Sequence, residues 1–210
     1  MEFDDIHRDS GYHPGSPTIS AALAVAQGTG ATGEQFLRAV IVGYETSTRI
    51  GEAVMPSHYN FWHTTGTVGS FGAAASAATA MRLNHEQFMH AVATVGTFAA
   101  GLQQAFLSQA MSKPLHGGHA ADAGVLAAMG ASKGVTGALD IIEGKKGFAH
   151  AMSVNPDFSK ITKDLGSDYH INVMTFKNHG CCGHTFPSID GVDRKSTRLN
   201  SSHITISYAV

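Results

Sequence analysis

One stretch decides the fold, and from Phe61 to Ser76 it reads Phe-Trp-His-Thr-Thr-Gly-Thr-Val-Gly-Ser-Phe-Gly-Ala-Ala-Ala-Ser. After its first residues the run consists mostly of small side chains, which predicts a tightly packed helix. Gly66, Gly69 and Gly72 recur at every third position. They line one side of the helix with no side chains and let a neighbouring helix approach closely, at a cost of about 1 kcal/mol of helix propensity per glycine relative to alanine. The spacing differs from that of a dinucleotide-binding loop, so it favours helix packing over phosphate binding.

The same stretch places His63 immediately before the predicted helix. No Asp, Glu, Lys or Arg occurs between Glu52 and Arg82, so polar chemistry in this region rests on His58, His63 and hydroxyl groups. Histidine is the side chain best suited to acid or base catalysis near neutral pH. A hydrogen-bonded structural histidine is the alternative that this stretch leaves open.

The composition indicates a chain of buried helices. Asp, Glu, Lys and Arg make up 14% of the 210 residues, against about 25% in an average protein. This low charge predicts helices buried on several sides and a subunit interface. The formal net charge of -2 gives no reason to expect nucleic acid or an anionic membrane as a partner. Glu45 and Arg49 are four residues apart on a predicted helix, a pair that by default lies on a solvated face.

The cysteines and the apolar segments predict a soluble protein of a reducing, cytoplasmic compartment. Cys181 and Cys182 are adjacent, which provides neither a disulfide framework nor the separated thiolates of an iron–sulfur cluster. The chain begins with acidic residues rather than with a secretory signal. The charge-free run from Ala53 to Met81 is interrupted by polar residues in its first half, and the apolar remainder is too short to span a membrane.

Two capping boxes predict where helices begin. Thr32 with Gln35 and Asn84 with Gln87 each place a cap residue three positions before a glutamine, a pattern in which side chains satisfy the first backbone N–H groups of a helix. Apolar residues at helical spacing follow both boxes. The sequence therefore predicts a mainly α fold.

The character of the chain changes near residues 153–168. The alternating, β-rich run Ile171–Phe176 predicts a strand and therefore an α+β region. We expect a helical domain over residues 1–155 and the start of a smaller α+β lid domain over residues 156–192. Residues 193–210 are polar, lack periodicity and read as a non-native tail, so they are left out of the fold prediction.

Ionisable side chains concentrate in four groups. The groups are Asp4, Asp5 and His7 with His13; His58 with His63; Lys113 with His116 and His119; and Lys177 with His179, Cys181, Cys182 and His184. Lys113 is the only Lys or Arg between Arg82 and Lys133 and comes just before a predicted helix. A cation beside the N-terminal amides of a helix forms a binding site for a carboxylate, because the cation and the amides both attract an anion. A surface lysine in a loop is the alternative.

The spacing of potential ligands does not favour a metal site. His116 and His119 are three residues apart and could share a metal, but no third ligand is near them in sequence. The run from His179 to His184 is too compressed for a zinc knuckle and suits the wall of a site better. A histidine-rich zinc-binding module stays open as an alternative, which would take up zinc through His116, His119 and the two adjacent cysteines.

Five motifs occur in order along the chain and together carry a resemblance. They are Phe3-Asp-Asp-x-His with His13-Pro-Gly-Ser, Gly43-Tyr-Glu, Trp62-His-Thr-Thr-Gly-Thr-Val-Gly, Lys113-Pro-Leu-His-Gly-Gly-His-Ala-Ala, and Lys177 followed by Cys-Cys-Gly-His-Thr-Phe and Ile-Asp. They resemble the MmgE/PrpD family, which contains 2-methylcitrate dehydratase, cis-aconitate decarboxylase and iminodisuccinate epimerase. The resemblance extends from residue 2 to about residue 192.

The resemblance implies a fold, an assembly and a site. Family members combine a large all-helical domain with a smaller α+β lid domain, form homodimers and need no metal or organic cofactor. They are longer than this chain, which would begin inside the helical domain and stop early in the lid. The implied catalytic residues are His13, His63 and Lys113. The implied substrate-binding residues are Asp4, Asp5, His7, His116, Lys177 and Cys182.

Two positions depart from the family pattern. Ile6 stands where many members have threonine, which removes one hydrogen bond to substrate. Cys182 stands where decarboxylase members can have histidine, which argues against the decarboxylase branch.

The residues fit proton chemistry beside a carboxylate. Removing a proton next to a carboxylate builds up enolate-like charge, which needs cations on the carboxylates and a base that works near neutral pH. Lys113 and Lys177 supply the cations, while His13 and His63 supply a base and an acid in an order that the sequence leaves open. Dehydration of 2-methylcitrate is the first hypothesis, with cis-aconitate decarboxylation and iminodisuccinate epimerisation as alternatives. An inactive helical scaffold or dimerisation fragment is the alternative of another class.

Overall fold

A computed structural model describes residues 3–108 and 110–196 of the chain, without the side chains of residues 184, 195 and 196. The α-helices are α1 (Gly15–Thr29), α2 (Gly33–Val54), α3 (Thr64–Ala80), α4 (His85–Val95), α5 (Gln104–Leu107), α6 (Leu115–Ser132), α7 (Phe148–Met152), α8 (Ser159–Thr162) and α9 (Phe186–Ser196). Short 3-10 helices span Ser57–Asn60, His170–Val173 and Gly183–Thr185. The mainly α fold predicted from the sequence is confirmed. Most of the tail predicted over residues 193–210 lies outside the described residues.

The chain divides into two compact units. The helical unit runs from Asp5 to Thr175, and the terminal unit joins the described residues before Asp5 to those after Thr175. The domain boundaries expected from the sequence stay predictions. Of the helices in the described part of the chain, none combines the length and apolarity needed to cross a membrane.

Helix α3 is the centre of the helical unit. It packs against α1, α2, α4 and α6, and every residue of the helix except Thr79 is buried. This burial follows from a sequence without charged residues, in which small side chains let helices approach on several sides.

The glycines of α3 make contacts with three different parts of the chain. A Cβ on Gly66 would lie 2.5 Å from the Ala100 carbonyl oxygen, and one on Gly72 would lie 2.7 Å from Ser47 Oγ on α2. A Cβ on Gly69 would meet α1 instead. The expectation of a single neighbouring helix is therefore wrong. Because a helix turns by about 100° per residue, glycines three residues apart point in directions that differ by about 60°.

Both predicted capping boxes are confirmed. Thr32 and Asn84 each accept a hydrogen bond from the backbone N–H of the glutamine three residues later, and each glutamine side chain accepts one in return. These boxes start α2 and α4, so the local sequence alone fixes two helix boundaries.

The solvated position predicted for the Glu45–Arg49 pair is wrong. Both side chains are buried, and Arg49 Nε donates to Glu45 Oε2 at 3.0 Å. The two remaining nitrogens of Arg49 donate to the carbonyl oxygens of Lys163 and Asp168, and Glu45 Oε1 accepts from the His170 backbone N–H. A buried ion pair is tolerated when its other polar atoms find partners. The pair therefore fastens the segment after α8 to α2.

The strand predicted over Ile171–Phe176 is also wrong. Residues His170–Val173 form a 3-10 helix, and only Thr175 pairs in β geometry, with Ile6 through two hydrogen bonds of 2.9 Å. Alternation of apolar and polar residues is compatible with a strand but does not supply a partner for it. In the part of the chain that the structure describes, β pairing is confined to isolated bridges.

His58 is a structural residue of the core. Its side chain is fully buried, with Nε2 at 2.7 Å from Thr67 Oγ1 and Nδ1 at 3.0 Å from the Met152 carbonyl oxygen. Burial lowers the pKa of His58 from 6.5 to about 4, against the opposing effect of the Met152 hydrogen bond. His58 is therefore a hydrogen-bonded structural histidine and not an acid or base of a site.

We predict that His58 makes the fold sensitive to acid. Below pH 6.5 the unfolded chain takes up a proton that the folded chain excludes until about pH 4, so the free energy of unfolding falls as the pH falls through this range. At about 1.4 kcal/mol per pH unit, the contribution of His58 is on the order of 3 kcal/mol. Urea denaturation across this range measures it. His58→Gln should flatten the pH dependence, while His85→Gln, at an exposed position on α4, should retain it. An unchanged pH dependence in His58→Gln would contradict the assignment.

We also predict that a single methyl group disrupts the contact between α6 and α3. A Cβ on Gly124 would lie 2.5 Å from both the Ala73 Cβ and the Ala74 backbone nitrogen, which cannot move aside without shifting the helix. Gly124→Ala should therefore lower the free energy of unfolding by roughly 1–3 kcal/mol. Gly28→Ala on α1 is the matched control, because no atom lies within 4 Å of the added group, and it should be neutral or stabilising by up to about 1 kcal/mol. Equal stabilities of the two variants in urea would refute the prediction.

Candidate functional site

The first turns of α1, α3 and α6 meet in the helical unit. The backbone N–H of His13, just before α1, donates to Thr65 Oγ1 in the first turn of α3 at 3.4 Å. Gly117 in the first turn of α6 packs so tightly on Ser16 of α1 that a side chain there would overlap the Ser16 hydroxyl. His13, His63 and His116, one member from each of three of the groups of ionisable residues noted in the sequence, therefore lie at helix starts that contact one another.

The starts of α3 and α6 differ from those of α2 and α4. Neither α3 nor α6 has an acidic residue in its first turn or a side-chain cap. In contrast, α2 and α4 have capping boxes and carry Glu34 and Glu86 in their first turns. The partial positive charge of a helix N-terminus is thus offset at α2 and α4 and left uncompensated at α3 and α6. These two helix starts favour an anion.

His63 and His116 form a direct pair. His63 caps α3, is 5% exposed, and donates its backbone N–H to the Gly101 carbonyl oxygen at 3.0 Å. Its ring Nδ1 lies 2.8 Å from Nδ1 of His116 in the first turn of α6. When both rings are neutral, a contact of this length requires one of the two nitrogens to carry the proton and the other to accept it. Burial, and then the charges of His119 and Lys113, lower the pKa of His116.

Phe106 connects Lys113 to His63. The Lys113 ammonium lies 4.8 Å from the centroid of the Phe106 ring, and the same ring meets His63 edge-on at a centroid distance of 4.8 Å. A cation over an aromatic face is attracted by the ring quadrupole. No pattern in the sequence identified Phe106, because a single aromatic residue in a connecting segment is usually a packing residue.

Asp5 orients His13. The Asp5 carbonyl oxygen lies 2.7 Å from His13 Nδ1, and since a carbonyl can only accept, Nδ1 carries the proton and Nε2 of the neutral ring carries the lone pair. The Asp5 carboxylate accepts from the Tyr44 hydroxyl at 2.6 Å and from the Gly15 backbone N–H at 2.9 Å. Burial and this carboxylate raise the pKa of Tyr44. Tyr44 lies in a motif quoted from the sequence, but its contact with Asp5 could not be read there.

An open cavity of about 600 Å³ lies beside His116. It is bounded by the segment between α4 and α6 and by the first turns of α6. Its polar lining residues are Gln104, Ser108, Ser112, His116 and His119. The cavity is large enough for a small organic acid, and His116 is the member of the histidine pair that lines it.

Three expected substrate-binding residues lie in the terminal unit. The Lys177 ammonium is buried and lies 2.6 Å from Asp4 Oδ1. Cys182 is exposed and precedes a 3-10 helix, while Cys181 Sγ lies 3.0 Å from Thr185 Oγ1. Asp4 and Lys177 therefore neutralise each other here, and their roles toward a substrate stay predictions.

His7 lies in a separate cluster of the helical unit. Its Nδ1 is 2.9 Å from Ser10 Oγ, its Nε2 is 3.8 Å from Glu52 Oε1, and its ring is nearly parallel to that of His170. Burial, followed by His170, lowers the pKa of His7 to about 4. Glu52 and His170 were not recognised in the sequence, because neither belongs to a local motif.

Comparison with known proteins agrees with this geometry. Residues 1–161 match the family model described as the MmgE/PrpD N-terminal domain. The chain is 26% identical to the cis-aconitate decarboxylase of Aspergillus terreus (strain NIH 2624 / FGSC A1156), over 94% of this chain and 43% of that protein. It is 27% identical to the cis-aconitate decarboxylase-like protein oryM of Aspergillus oryzae (strain ATCC 42149 / RIB 40), over 92% of this chain and 43% of that protein.

The chain thus spans less than half the length of these curated relatives. The family match covers most of the chain and includes the helix starts that carry His13, His63 and Lys113. The resemblance noted in the five motifs is therefore confirmed, and the chain belongs to the MmgE/PrpD family.

Proposed function

We propose that this protein is a cytoplasmic, homodimeric lyase that acts on a small di- or tricarboxylate without a metal or organic cofactor. His63 and His13 are its acid and base, and Lys113 holds a substrate carboxylate. The observation that carries the proposal is the meeting of α3 and α6, two helix starts without acidic residues, at the His63–His116 pair. Membership of a family with decarboxylase relatives supports the same class of reaction.

The electrostatics of the helix starts suit a substrate with several carboxylates. The partial positive charge at the N-terminus of each helix attracts an anion, and Lys113 adds a full positive charge just before α6. Contact with Phe106 limits how far the Lys113 ammonium can move. A polycarboxylate would therefore bind with one carboxylate toward Lys113 and the helix starts, which leaves its carbon skeleton near the histidines.

The names of the relatives favour decarboxylation of cis-aconitate. In this reaction the bond from the methylene carbon to its carboxylate breaks, and CO₂ leaves without the electron pair of that bond. The pair forms a new C=C bond, and the electrons of the former double bond take up a proton at the carbon beside the remaining terminal carboxylate. The reaction needs a proton donor at that carbon and a cation on the adjacent carboxylate, for which His63 and Lys113 are suited.

Dehydration of 2-methylcitrate uses the same groups in another order. A base removes a proton beside a carboxylate, and an acid protonates the departing hydroxyl group. His13, whose neutral ring carries its lone pair on Nε2, suits the base, and a protonated His63 suits the acid. Cys182, which stands where decarboxylase members can have histidine, favours this reaction, and epimerisation of iminodisuccinate is the third candidate.

The contact with His116 sets what His63 can do. If the shared proton lies on His116, then Nδ1 of His63 accepts a hydrogen bond from His116. Nε2 of the neutral His63 ring then carries a proton to donate. If the proton lies on His63, its Nε2 has a lone pair and can act as a base. The change from one form of His63 to the other therefore moves a proton across the 2.8 Å contact and also requires a proton to enter or leave at Nε2 of His63.

We predict that His63 is required for turnover. The purified chain is incubated with 2-methylcitrate, citrate, cis-aconitate or iminodisuccinate in the presence of EDTA, and products are followed by NMR. His63→Ala should lower the rate by roughly 10²–10⁴-fold, the usual contribution of a general acid or base. His85→Ala is the matched control, because His85 is exposed on α4, and should retain the wild-type rate. A folded, dimeric chain that converts none of these acids would instead support the scaffold alternative.

We predict a different kinetic effect for Lys113. Replacing it by methionine removes a charge-assisted contact worth about 1.5–3 kcal/mol, so KM should rise roughly tenfold to a hundredfold. Lys133→Met at the exposed end of the same helix should leave KM unchanged. The KM of each variant is measured on the acid that the wild type converts. A KM that is equal in Lys113→Met and wild type would show that Lys113 does not bind the substrate carboxylate.

A further inference from the structure

His7, Glu52 and His170 bring three potential metal ligands together. Glu52 Oε1 lies 3.8 Å from His7 Nε2 and 3.6 Å from His170 Nδ1, and the three ligand atoms all lie within 4.8 Å of one another. They come from three parts of the helical unit: the turn before α1, the helix α2 and the 3-10 helix His170–Val173. In the described part of the chain, this is the group of three His, Cys, Asp or Glu side chains that are close enough together to hold one metal ion.

The hydrogen bonds around His7 place two hydrogen-bond acceptors, His7 Nε2 and the Glu52 carboxylate, opposite each other. Ser10 Oγ donates to the His7 carbonyl oxygen at 3.4 Å, so it accepts the proton of His7 Nδ1 at 2.9 Å. The lone pair of the neutral ring is then on Nε2, on the side of the Glu52 carboxylate. A lone pair and a carboxylate at this distance repel each other unless a cation lies between them.

The donor set fits zinc. Two imidazoles and one carboxylate are the ligands of several zinc sites that keep a fourth position for water. Bonds of about 2.0–2.2 Å in a tetrahedral site separate ligand atoms by about 3.4 Å, so the two separations measured from Glu52 need to shorten by a few tenths of an ångström. The rings of His7 and His170 are nearly parallel, with centroids 4.9 Å apart, so one ring has to turn before both nitrogens face the same ion.

His170 is the ligand that has to adapt. Thr48 Oγ1 donates to the Tyr44 carbonyl oxygen at 2.8 Å, so it accepts from His170 Nδ1 at 3.0 Å. A metal ion would displace the proton from this nitrogen, as metals do when they bind histidine. His7 and Glu52 thus form the part of the site that is already arranged, and His170 completes it.

We propose that His7, Glu52 and His170 form a zinc-class divalent metal site that fastens the 3-10 helix at His170 and the turn at His7 to α2. The site is separate from the His63–His116 pair and does not rest on the proposed function. The spacing of histidines in the sequence did not predict it, because its ligands are 45 and 118 residues apart along the chain (52 − 7 and 170 − 52). Its effect is on stability, since a metal that binds only the folded state stabilises that state.

The test is the binding of Zn²⁺ and Co²⁺ to chain that has been stripped with EDTA. Cys181→Ser and Cys182→Ser are introduced in every sample so that thiols do not compete for the metal. We expect one equivalent of Zn²⁺ by calorimetry, a rise in Tm with free Zn²⁺, release of protons, and the visible absorption of four-coordinate Co²⁺ with nitrogen and oxygen ligands. Each of these readouts is independent of catalytic activity.

Matched variants distinguish this site from other histidines. Glu52→Gln and His170→Gln should each weaken Zn²⁺ binding at least tenfold, as loss of one of three ligands requires, and remove the rise in Tm. His85→Gln, at an exposed position outside the cluster, should bind as the parent does. Folding of each variant is checked by circular dichroism. If one of the two ligand variants does not fold, the other still tests the proposal.

Three outcomes would overturn the proposal. The first is a folded chain that takes up no Zn²⁺ at micromolar concentration, which would make the cluster a hydrogen-bonded network without a metal. The second is Zn²⁺ binding that is equally tight in the parent and in the folded ligand variants, which would assign the metal to other residues. The third is six-coordinate Co²⁺ absorption in the parent, which would contradict a tetrahedral site.

Discussion

The close approach of four helices to α3 is the constraint on which the rest of the structure depends. A helix made mostly of glycine, alanine, serine and threonine buries little apolar area per residue, so it is held by many short contacts in addition to its two larger side chains, Val68 and Phe71. Such contacts require close approach to a neighbouring backbone, as at Gly66 and at Gly124 of α6. Small side chains therefore give this core its stability and also make it intolerant of added atoms.

The same packing produces the candidate site. Because α1, α3 and α6 approach so closely, their first turns meet, and the residues at those turns become neighbours even though they are about fifty positions apart in sequence. His13, His63 and His116 are in this sense side chains of one junction. The lack of acidic residues in the first turns of α3 and α6 costs helix stability, and this cost is consistent with the proposed binding of an anion at the junction.

Sequence reasoning was accurate where the signal was local and inaccurate where it depended on distant partners. The cap at Thr32 and the small-residue run of α3 could be read directly, because a few neighbouring residues determine each of them. The burial of Arg49 could not, because the carbonyl oxygens that satisfy it belong to a segment more than a hundred residues away. Phe106 and His170 were missed for the same reason, since only the folded chain brings them to their neighbours.

Arg49 contacts the segment after α8 through backbone oxygens and not through side chains. Every residue type offers the same carbonyl group, so the attachment is independent of what Lys163 and Asp168 carry. The demand for particular residues therefore falls on Glu45 and Arg49 in α2, while the side chains of Lys163 and Asp168 are free to diverge. A surface of this kind can change its chemistry during evolution without losing its position in the fold.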